Sequence, residues 1–233
     1  MSNKNDLIEL EKKIGYVFNN KELLKMALTH KSYAYEDSNV ANREYNERIE
    51  FLGDAILEHI ISDLLYFSKQ KFSEGNMSKK RADIVCEKSL STAMRNVGAQ
   101  NYIYLGKCEK SYNNVIKDAI VADAFEAILG AIYIDGGYDY SKKFALMMLK
   151  QQIDSVLHGK ELNVDYKTKL QELLQKHGAV KIEYIIDKEY GPEHDKTFEV
   201  SVYFNGNKIG EGKGKNKNEA EQMAAKVALK IKL

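Results

Sequence analysis

The chain has 233 residues, a formal net charge of +1 at pH 7 and 44% hydrophobic residues. This length allows one sizeable core and a smaller second domain, so we expect two domains. Charge is nearly balanced on both sides of residue 158, which excludes a strongly basic nucleic-acid binder recognisable by bulk charge. Local residue patterns must therefore indicate any contact with nucleic acid.

Residues 1–18 carry charges throughout and contain no long apolar run. We therefore expect neither a signal peptide nor a transmembrane segment, and no membrane partner. Cys86 and Cys108 are the only cysteines and form no C-x-x-C pair, which is typical of reduced thiols in a cytoplasmic protein and offers no zinc site.

Apolar residues recur three and four apart from Leu7 to about Leu157, the spacing of one face of an α-helix. This pattern predicts seven to nine helices and no strand. Residues 96–98 and 135–137 are predicted helix stops, and residues 72–78 are predicted to form a loop that ends in a Ser78 N-cap. Residues 1–158 are thus expected to form an all-α domain.

Two segments of this domain carry carboxylates at helical spacing. Glu47, Glu50 and Asp54 share one face of the first segment, and Asp123 and Glu126 share one face of the second. Acidic pairs of this kind are common on solvated faces, so either cluster alone is a weak signal. The neighbours of the second pair are apolar, however, and a solvated face is hard to place there.

A carboxylate held among apolar neighbours costs several kcal/mol unless a cation neutralises it. Oxygen ligands without interleaved His or Cys favour Mg²⁺, with Mn²⁺ as a substitute, over Zn²⁺. Gly53 and Gly130 interrupt the two segments at a cost of roughly 1 kcal/mol each relative to Ala. Close approach of another helix is the usual reason for such glycines, so we expect the two helices to pack together and bring both clusters into one site.

The pattern changes after residue 158. Residues 159–163 are predicted to be a short polar linker, and residues 164–233 a small α+β domain. The predicted elements are a helix over 165–177, strands over 181–190 and 197–204, a hairpin turn at Asn205-Gly206, a third strand near Ile209 and a helix from about Lys217 to Ile231. Val227 is expected on the inner side of the last helix.

The run NERIEFLGDA at 46–55 resembles the signature of the ribonuclease III domain, and ADAFEAILG at 122–130 resembles its second acidic motif. Segments 28–32 and 74–82 resemble further segments of the family in the same order. Residues 164–233 resemble the double-stranded RNA-binding domain that follows the catalytic domain in bacterial ribonuclease III. The resemblance covers nearly the whole chain.

This resemblance implies an endonuclease that hydrolyses double-stranded RNA to 5′-phosphate and 3′-hydroxyl ends with short 3′ overhangs. Processing of rRNA precursors and mRNA is its expected role. Glu50, Asp123 and Glu126 match carboxylates that bind Mg²⁺ directly. Asp54 matches an acidic residue that serves the attacking water.

The resemblance also implies a homodimer in which Phe51 inserts into a socket on the partner. From the residue pattern alone, Phe51 on an amphipathic helix would be expected in the core. Glu47 and Glu74 match accessory acidic positions of the family.

Duplex RNA hides its base edges in a deep major groove, so a protein reads it through minor-groove hydroxyls and phosphates. The candidate residues for this contact are Thr168, Gln171, Glu172, His194, Lys213, Lys215 and Lys217. Asn218 stands where related domains often carry another lysine, and Lys213 and Lys215 are expected to substitute for it.

The main alternative function is a duplex-RNA-binding protein built on an inactive nuclease domain, and the intact carboxylates Glu50, Asp54, Asp123 and Glu126 argue against it. A helical di-metal oxidase would need Glu-x-x-His pairs, which the sequence lacks.

Overall fold

The computed structural model describes residues 4–36, 44–109, 115–158, 166–175, 181–192 and 196–230. Contacts between Cα atoms divide the chain into two compact units, Met1–Leu162 and Asn163–Leu233. The predicted linker at 159–163 lies outside the described residues. In those residues, no helix combines the length and the apolar character needed to span a bilayer.

The first unit is helical, as the sequence predicts. Its helices are α1 (Lys4–Ile14), α2 (Lys21–Leu28), α3 (Lys31–Ala34), α4 (Glu47–Tyr66), α5 (Glu74–Val85), α6 (Glu87–Asn96), α7 (Asp118–Gly136), α8 (Tyr138–Met148) and α9 (Lys150–Leu157). Short 3₁₀ helices span Ala99–Tyr102 and Lys107–Glu109. Within the described part of this unit, the only β pairing is an isolated bridge between Thr29 and Tyr104.

Two of the predicted helix ends are correct and one helix start is wrong. Gly98 and Gly137 have φ of +69° and +90°, which glycine adopts without strain just after a helix. Helix α5 begins at Glu74 after a Ser73 N-cap, not at Ser78. The Ser78 hydroxyl instead donates a hydrogen bond of 2.9 Å to the carboxylate of Glu74 one turn earlier. An acidic residue is favourable in this first turn, where the helix dipole is positive.

Helix α7 lies at the centre of the first unit, where α2, α4, α6 and α8 pack around it. From Ile120 to Ile132 every residue is buried except Asp123 and Glu126, which are half-buried. A helix that is apolar on nearly all sides requires such complete coverage. Between Ile120 and Ile132, α7 is therefore appreciably reached by solvent only at these two carboxylates.

Helices α4 and α7 cross in close contact at two glycines. A Cβ atom on Gly53 would lie 1.8 Å from the backbone oxygen of Glu126, and one on Gly130 would lie 2.4 Å from the backbone oxygen of Ile49. No side chain fits between the two backbones. The prediction that these glycines allow the two acidic helices to pack together is confirmed.

The second unit follows the predicted order. It comprises α10 (Tyr166–Gln175), β1 (Ile182–Tyr190), β2 (Thr197–Phe204), β3 (Asn207–Gly214) and α11 (Lys217–Ala228). The strands form an antiparallel sheet in the order β1-β2-β3. Asn205 and Gly206 both have positive φ, +47° and +83°, as the predicted type I′ turn requires.

Helix α11 lies against the backbone of strand β3. Cβ atoms on Gly210, Gly212 and Gly214 would lie 2.2 to 2.5 Å from backbone atoms of Ala220 and Ala224. The alternate residues of β3 therefore face the helix, and its remaining residues face the opposite side of the sheet.

The expectation that Val227 points inward is wrong, because its side chain is 38% exposed. The buried residues of α11 are the small ones, Ala220, Ala224, Ala225 and Ala228. Position 227 lies about 100° around the helix from position 228 and so turns away from the strand.

We expect Gly53→Ala to lower the free energy of unfolding by about 3 kcal/mol or more, because the added methyl group would force α4 and α7 apart. Gly75→Ala in α5 is the matched control. A Cβ there meets no atom within 4 Å, so stability should stay the same or rise by up to about 1 kcal/mol. Urea unfolding monitored by circular dichroism measures both variants. Equal stability of Gly53→Ala and the unsubstituted protein would contradict the close crossing.

Candidate active site

The start of α4 is anchored to the segment that precedes α3. The backbone N–H of Asn46 donates to the oxygen of Thr29 at 2.9 Å, and Asn46 is buried. The first turns of α4 then direct Ile49 and Gly53 to the core. The remaining face carries Glu47 and Asp54, both exposed, and the half-buried Glu50.

The glycine crossing brings the second acidic pair beside this face. The backbone of Glu126 lies against Gly53, so its carboxylate starts from a point next to α4. The charges of Asp54, Glu50 and Asp123 all act on Glu126. The structure therefore brings together the four carboxylates that the sequence singles out.

Burial and mutual repulsion disfavour the charged forms of these groups. Burial, followed by the charges of Asp54 and Glu50, raises the pKa of Glu126 to about 8. Burial and the charge of Asp123 raise the pKa of Glu50 to about 7. Burial also raises the pKa of Asp123. The site thus holds more negative charge than its protein surroundings neutralise.

The donor set fits a hard divalent cation, because it consists of carboxylate oxygens alone. Within the described ranges, however, no three Asp, Glu, His or Cys groups converge closely enough to form a ready-made ion site. Like charges favour separated side chains when no cation lies between them.

The two accessory acidic residues lie in different places. The Glu47 carboxylate pairs with Lys31, whose Nζ atom is 2.9 Å away. Glu74 lies beside Tyr66 and Phe67, at the opposite end of α4 from Glu50. The sixteen positions from Glu50 to Tyr66 correspond to about 24 Å along the helix. Glu74 is therefore not brought to the four carboxylates within this unit.

Two residues of segment 28–32 prove to be close to the site. The ring of His30 caps α3 by accepting the N–H of Ser32. Lys31 acts electrostatically on Glu50 and Asp123, a role that the sequence analysis did not assign. The sequence did offer a signal for this role, because Lys31 is the one charged residue, with His30 beside it, in a segment that resembles the family and contains no carboxylate.

Phe51 is 80% exposed on α4, so the expectation of a core position from the residue pattern alone is wrong. Its neighbours Ile49 and Gly53 face the core instead. An exposed phenyl ring of this kind is available for contact with another chain.

The second unit carries most of the predicted RNA-binding residues. Thr168, Gln171 and Glu172 are exposed at positions i, i+3 and i+4 of α10, and so share one face. His194 lies outside the described residues. Lys217 is the exposed first residue of α11, where Asn216 caps the helix by accepting the N–H of Glu219 at 2.9 Å.

The two lysines expected to compensate for Asn218 differ in position. Lys215 is exposed just before α11, and its backbone N–H donates to the Glu219 carboxylate at 2.7 Å. Lys213 lies on the sheet face opposite α11, where its Nζ atom is 2.6 Å from the carboxylate of Glu199. Of these two, only Lys215 is next to the helix terminus.

Comparisons with known proteins agree with both units. A family described as Ribonuclease-III-like matches residues 20–153, and one described as double-stranded RNA binding motif matches residues 166–232. The chain is 44% identical over 220 residues to Ribonuclease 3 of Pelotomaculum thermopropionicum, covering 94% of this chain and 90% of the relative. It is 45% identical over 222 residues to Ribonuclease 3 of Enterococcus faecalis, covering 95% of each.

Among solved structures, the nuclease domain of ribonuclease III from Campylobacter jejuni is similar, with a TM-score of 0.56 and 35% identity. The match covers 63% of this chain and 97% of that one. A helical nuclease domain with a carboxylate site, followed by a duplex-RNA-binding domain, defines a double-stranded-RNA-specific endonuclease. The chain belongs to the ribonuclease III family.

Without divalent cations, we expect stability to fall as the pH rises. The folded state holds protons on Glu50 and Glu126 up to pH values of about 7 and about 8, whereas the ordinary value is 4.5. The protonated forms of these two groups therefore stabilise the folded state fully below pH 4.5. This stabilisation is lost as the pH rises through their folded pKa values of about 7 and about 8. Glu126→Gln keeps the shape and removes the charge, so it should raise the melting temperature at pH 8 more than at pH 5.

Thermal unfolding in chelator at pH 5, 6, 7 and 8 measures this effect, with Glu22→Gln on α2 as an exposed control. Parallel pH profiles for Glu126→Gln and the unsubstituted protein would count against a strained carboxylate site.

Proposed function

We propose that this endonuclease requires Mg²⁺, with Mn²⁺ as a substitute, and that Glu50, Asp123 and Glu126 hold the ion. The observation that carries the proposal is the crossing of α4 and α7, which brings the half-buried Glu50 and Glu126 onto adjacent helices together with Asp123. Raised pKa values at all three residues, caused first by burial, agree with it. Buried carboxylates that repel one another are stabilised by a divalent cation. The absence of nitrogen or sulfur ligands among them favours a hard ion.

Each residue then has a role in hydrolysis. A divalent cation held by Glu50, Asp123 and Glu126 would supply charge stabilisation at the attacked phosphate and would lower the pKa of the attacking water. Asp54, exposed beside Glu126, orients that water and takes its proton. Attack on phosphorus with departure of the 3′ oxygen leaves a 5′-phosphate and a 3′-hydroxyl end.

The second unit binds the duplex in this proposal. The exposed face with Thr168, Gln171 and Glu172 contacts minor-groove hydroxyls, with His194 at a second minor groove. Lys215 and Lys217 contact phosphate at the start of α11, where the helix dipole adds to their charge. Lys213 contributes less, because it lies on the face of the sheet opposite α11, where it pairs with Glu199.

The expected substrates are precursors of rRNA and mRNA in the cytoplasm. An enzyme that reads duplex shape rather than base sequence selects its targets by their paired regions. Long paired stems flanking the parts of a precursor transcript fit that mode of selection.

We infer that the enzyme is a homodimer whose two sites cut both strands and leave short 3′ overhangs. Phe51 supports this inference, because its phenyl ring is 80% exposed on α4 and aromatic side chains are enriched at interfaces between chains. Dimer formation is named in the description of a Campylobacter jejuni nuclease domain similar to this one. In a two-fold interface, Phe51 of each copy contacts the same surface of the other copy.

A concavity of about 420 Å³ at the other end of α4 offers a complementary surface. Tyr66, Phe67 and Met77 supply its apolar lining, and Glu74 and Arg81 lie at it as well. If two copies of α4 pack antiparallel, Phe51 of each copy faces this concavity of the other. Glu74 would then approach the active site of the second copy, which accounts for an accessory acidic residue so far from Glu50.

Cleavage of a long, end-labelled RNA duplex tests the proposed function. We expect cutting in Mg²⁺ and Mn²⁺, and none in chelator. Glu126→Gln should reduce the rate by about 100-fold or more, and the exposed control Glu22→Gln should cut normally. Cleavage that survives chelation or Glu126→Gln would overturn the carboxylate mechanism. Duplex binding without cleavage in Mg²⁺ would favour the inactive RNA-binding alternative.

Phe51→Ala tests the dimer. We expect sedimentation equilibrium to show a shift from dimer to monomer at micromolar concentration, because truncating a buried aromatic anchor typically costs about 2 kcal/mol or more of association energy. Val17→Ala is a control, since Val17 is also highly exposed, at 71%, but is not on α4. A Phe51→Ala protein that associates like the unsubstituted one would exclude Phe51 from the interface.

A further inference from the structure

Lys31 lies at the edge of the carboxylate site with its side chain accessible. It is the first residue of α3, and its Nζ atom is 2.9 Å from the carboxylate of Glu47, the first residue of α4. The two side chains are 55% and 46% exposed. An ion pair this exposed contributes little to folding and exchanges readily for another partner.

The backbone around Lys31 is firmly held. On one side, the oxygen of Thr29 accepts the N–H of Asn46, which ties this segment to the start of α4. On the other side, the Ser32 hydroxyl oxygen accepts the N–H of Gly106 at 3.0 Å. A Cβ on Gly106 would lie 2.5 Å from the backbone oxygen of Ser32, so the two segments are in direct contact. A long side chain on a fixed backbone suits a group that positions a substrate.

Lys31 also supplies lasting positive charge to one end of the site. It is the largest cationic influence on Glu50, and it acts on Asp123 together with His30. Burial lowers the pKa of the His30 ring and so disfavours its charged form. The principal influences on Glu126, by contrast, are burial and neighbouring carboxylates. Positive charge therefore lies at the Glu47 end of the site.

Duplex RNA presents many backbone phosphates to this surface, and each cleavage event breaks the phosphodiester bond at only one of them. The neighbouring phosphates would face carboxylates unless a cation met them. We propose that Lys31 is a substrate-positioning residue, whose ammonium group exchanges Glu47 for a backbone phosphate next to the cut bond when duplex RNA binds. The inference rests on the proposed function, because it assumes that the four carboxylates are the cutting site.

Three variants of the full-length chain test this role. Lys31→Ala removes the charge, and Lys31→Arg keeps it. Lys25→Ala is the matched control, because Lys25 is 47% exposed and pairs with Glu22 at 2.5 Å on α2. The measurements are KM and kcat for duplex cleavage in Mg²⁺, the salt dependence of duplex binding in Ca²⁺ without cleavage, and the melting temperature.

We expect Lys31→Ala to raise KM about tenfold, with kcat changed by less than about threefold. The slope of log affinity against log salt should fall by about 0.9, the value of one phosphate contact. Lys31→Arg should restore both KM and slope, and Lys25→Ala should match the unsubstituted protein. The melting temperatures should agree, since an exposed pair adds little stability.

An unchanged KM and salt slope in Lys31→Ala would overturn the inference and leave a plain surface ion pair. A loss of kcat at constant KM would also overturn it, because Lys31 would then act on the chemistry rather than on positioning. If the unsubstituted protein binds duplex RNA but does not cut it, the proposed function fails. The salt slopes then still decide whether Lys31 contacts a phosphate.

Discussion

Helices α4 and α7 touch through their backbones where Gly53 meets Gly130, and the geometry of the carboxylate site depends on this contact. Direct backbone contact fixes the distance between two helices more tightly than interdigitating side chains, which can change rotamer. The backbone oxygen of Glu126 lies against Gly53 itself. The same crossing that closes the core therefore sets the starting points of Glu50 and Glu126, and the surrounding helices cover the rest of α7.

The site weakens the fold that supports it. Glu50, Asp123 and Glu126 are partly withdrawn from water and act on one another, so each stabilises the folded state less than a neutral residue of the same shape would. Any cation that binds the folded site and not the unfolded chain shifts the balance toward folding. Ion binding and conformational stability are thus coupled at the same carboxylates.

Hydrophobic periodicity, three to four residues in the helices and two in the strands, predicted the elements of both units because burial enforces it over many residues. The Gly53 and Gly130 contact was also predictable, since glycine within an apolar helix usually marks the close approach of a second helix. The start of α5 was not, because serine at both 73 and 78 can cap a helix. Phe51 was misassigned from pattern alone because an aromatic residue fits a core or an interface equally well. Lys31 was missed because its meaning depends on Glu47, which only the folded chain brings near.

Strand β3 and helix α11 are in contact along three alternate glycines, and this has a mechanical consequence for RNA binding. A helix seated on side chains can slide or tilt when those side chains repack, but a helix seated on a strand backbone has almost no such freedom. The position of Lys217 at the tip of α11 is therefore set by the hydrogen-bonded sheet. In the proposed complex, the duplex would meet a fixed point here, and its backbone would conform to the spacing that the protein offers.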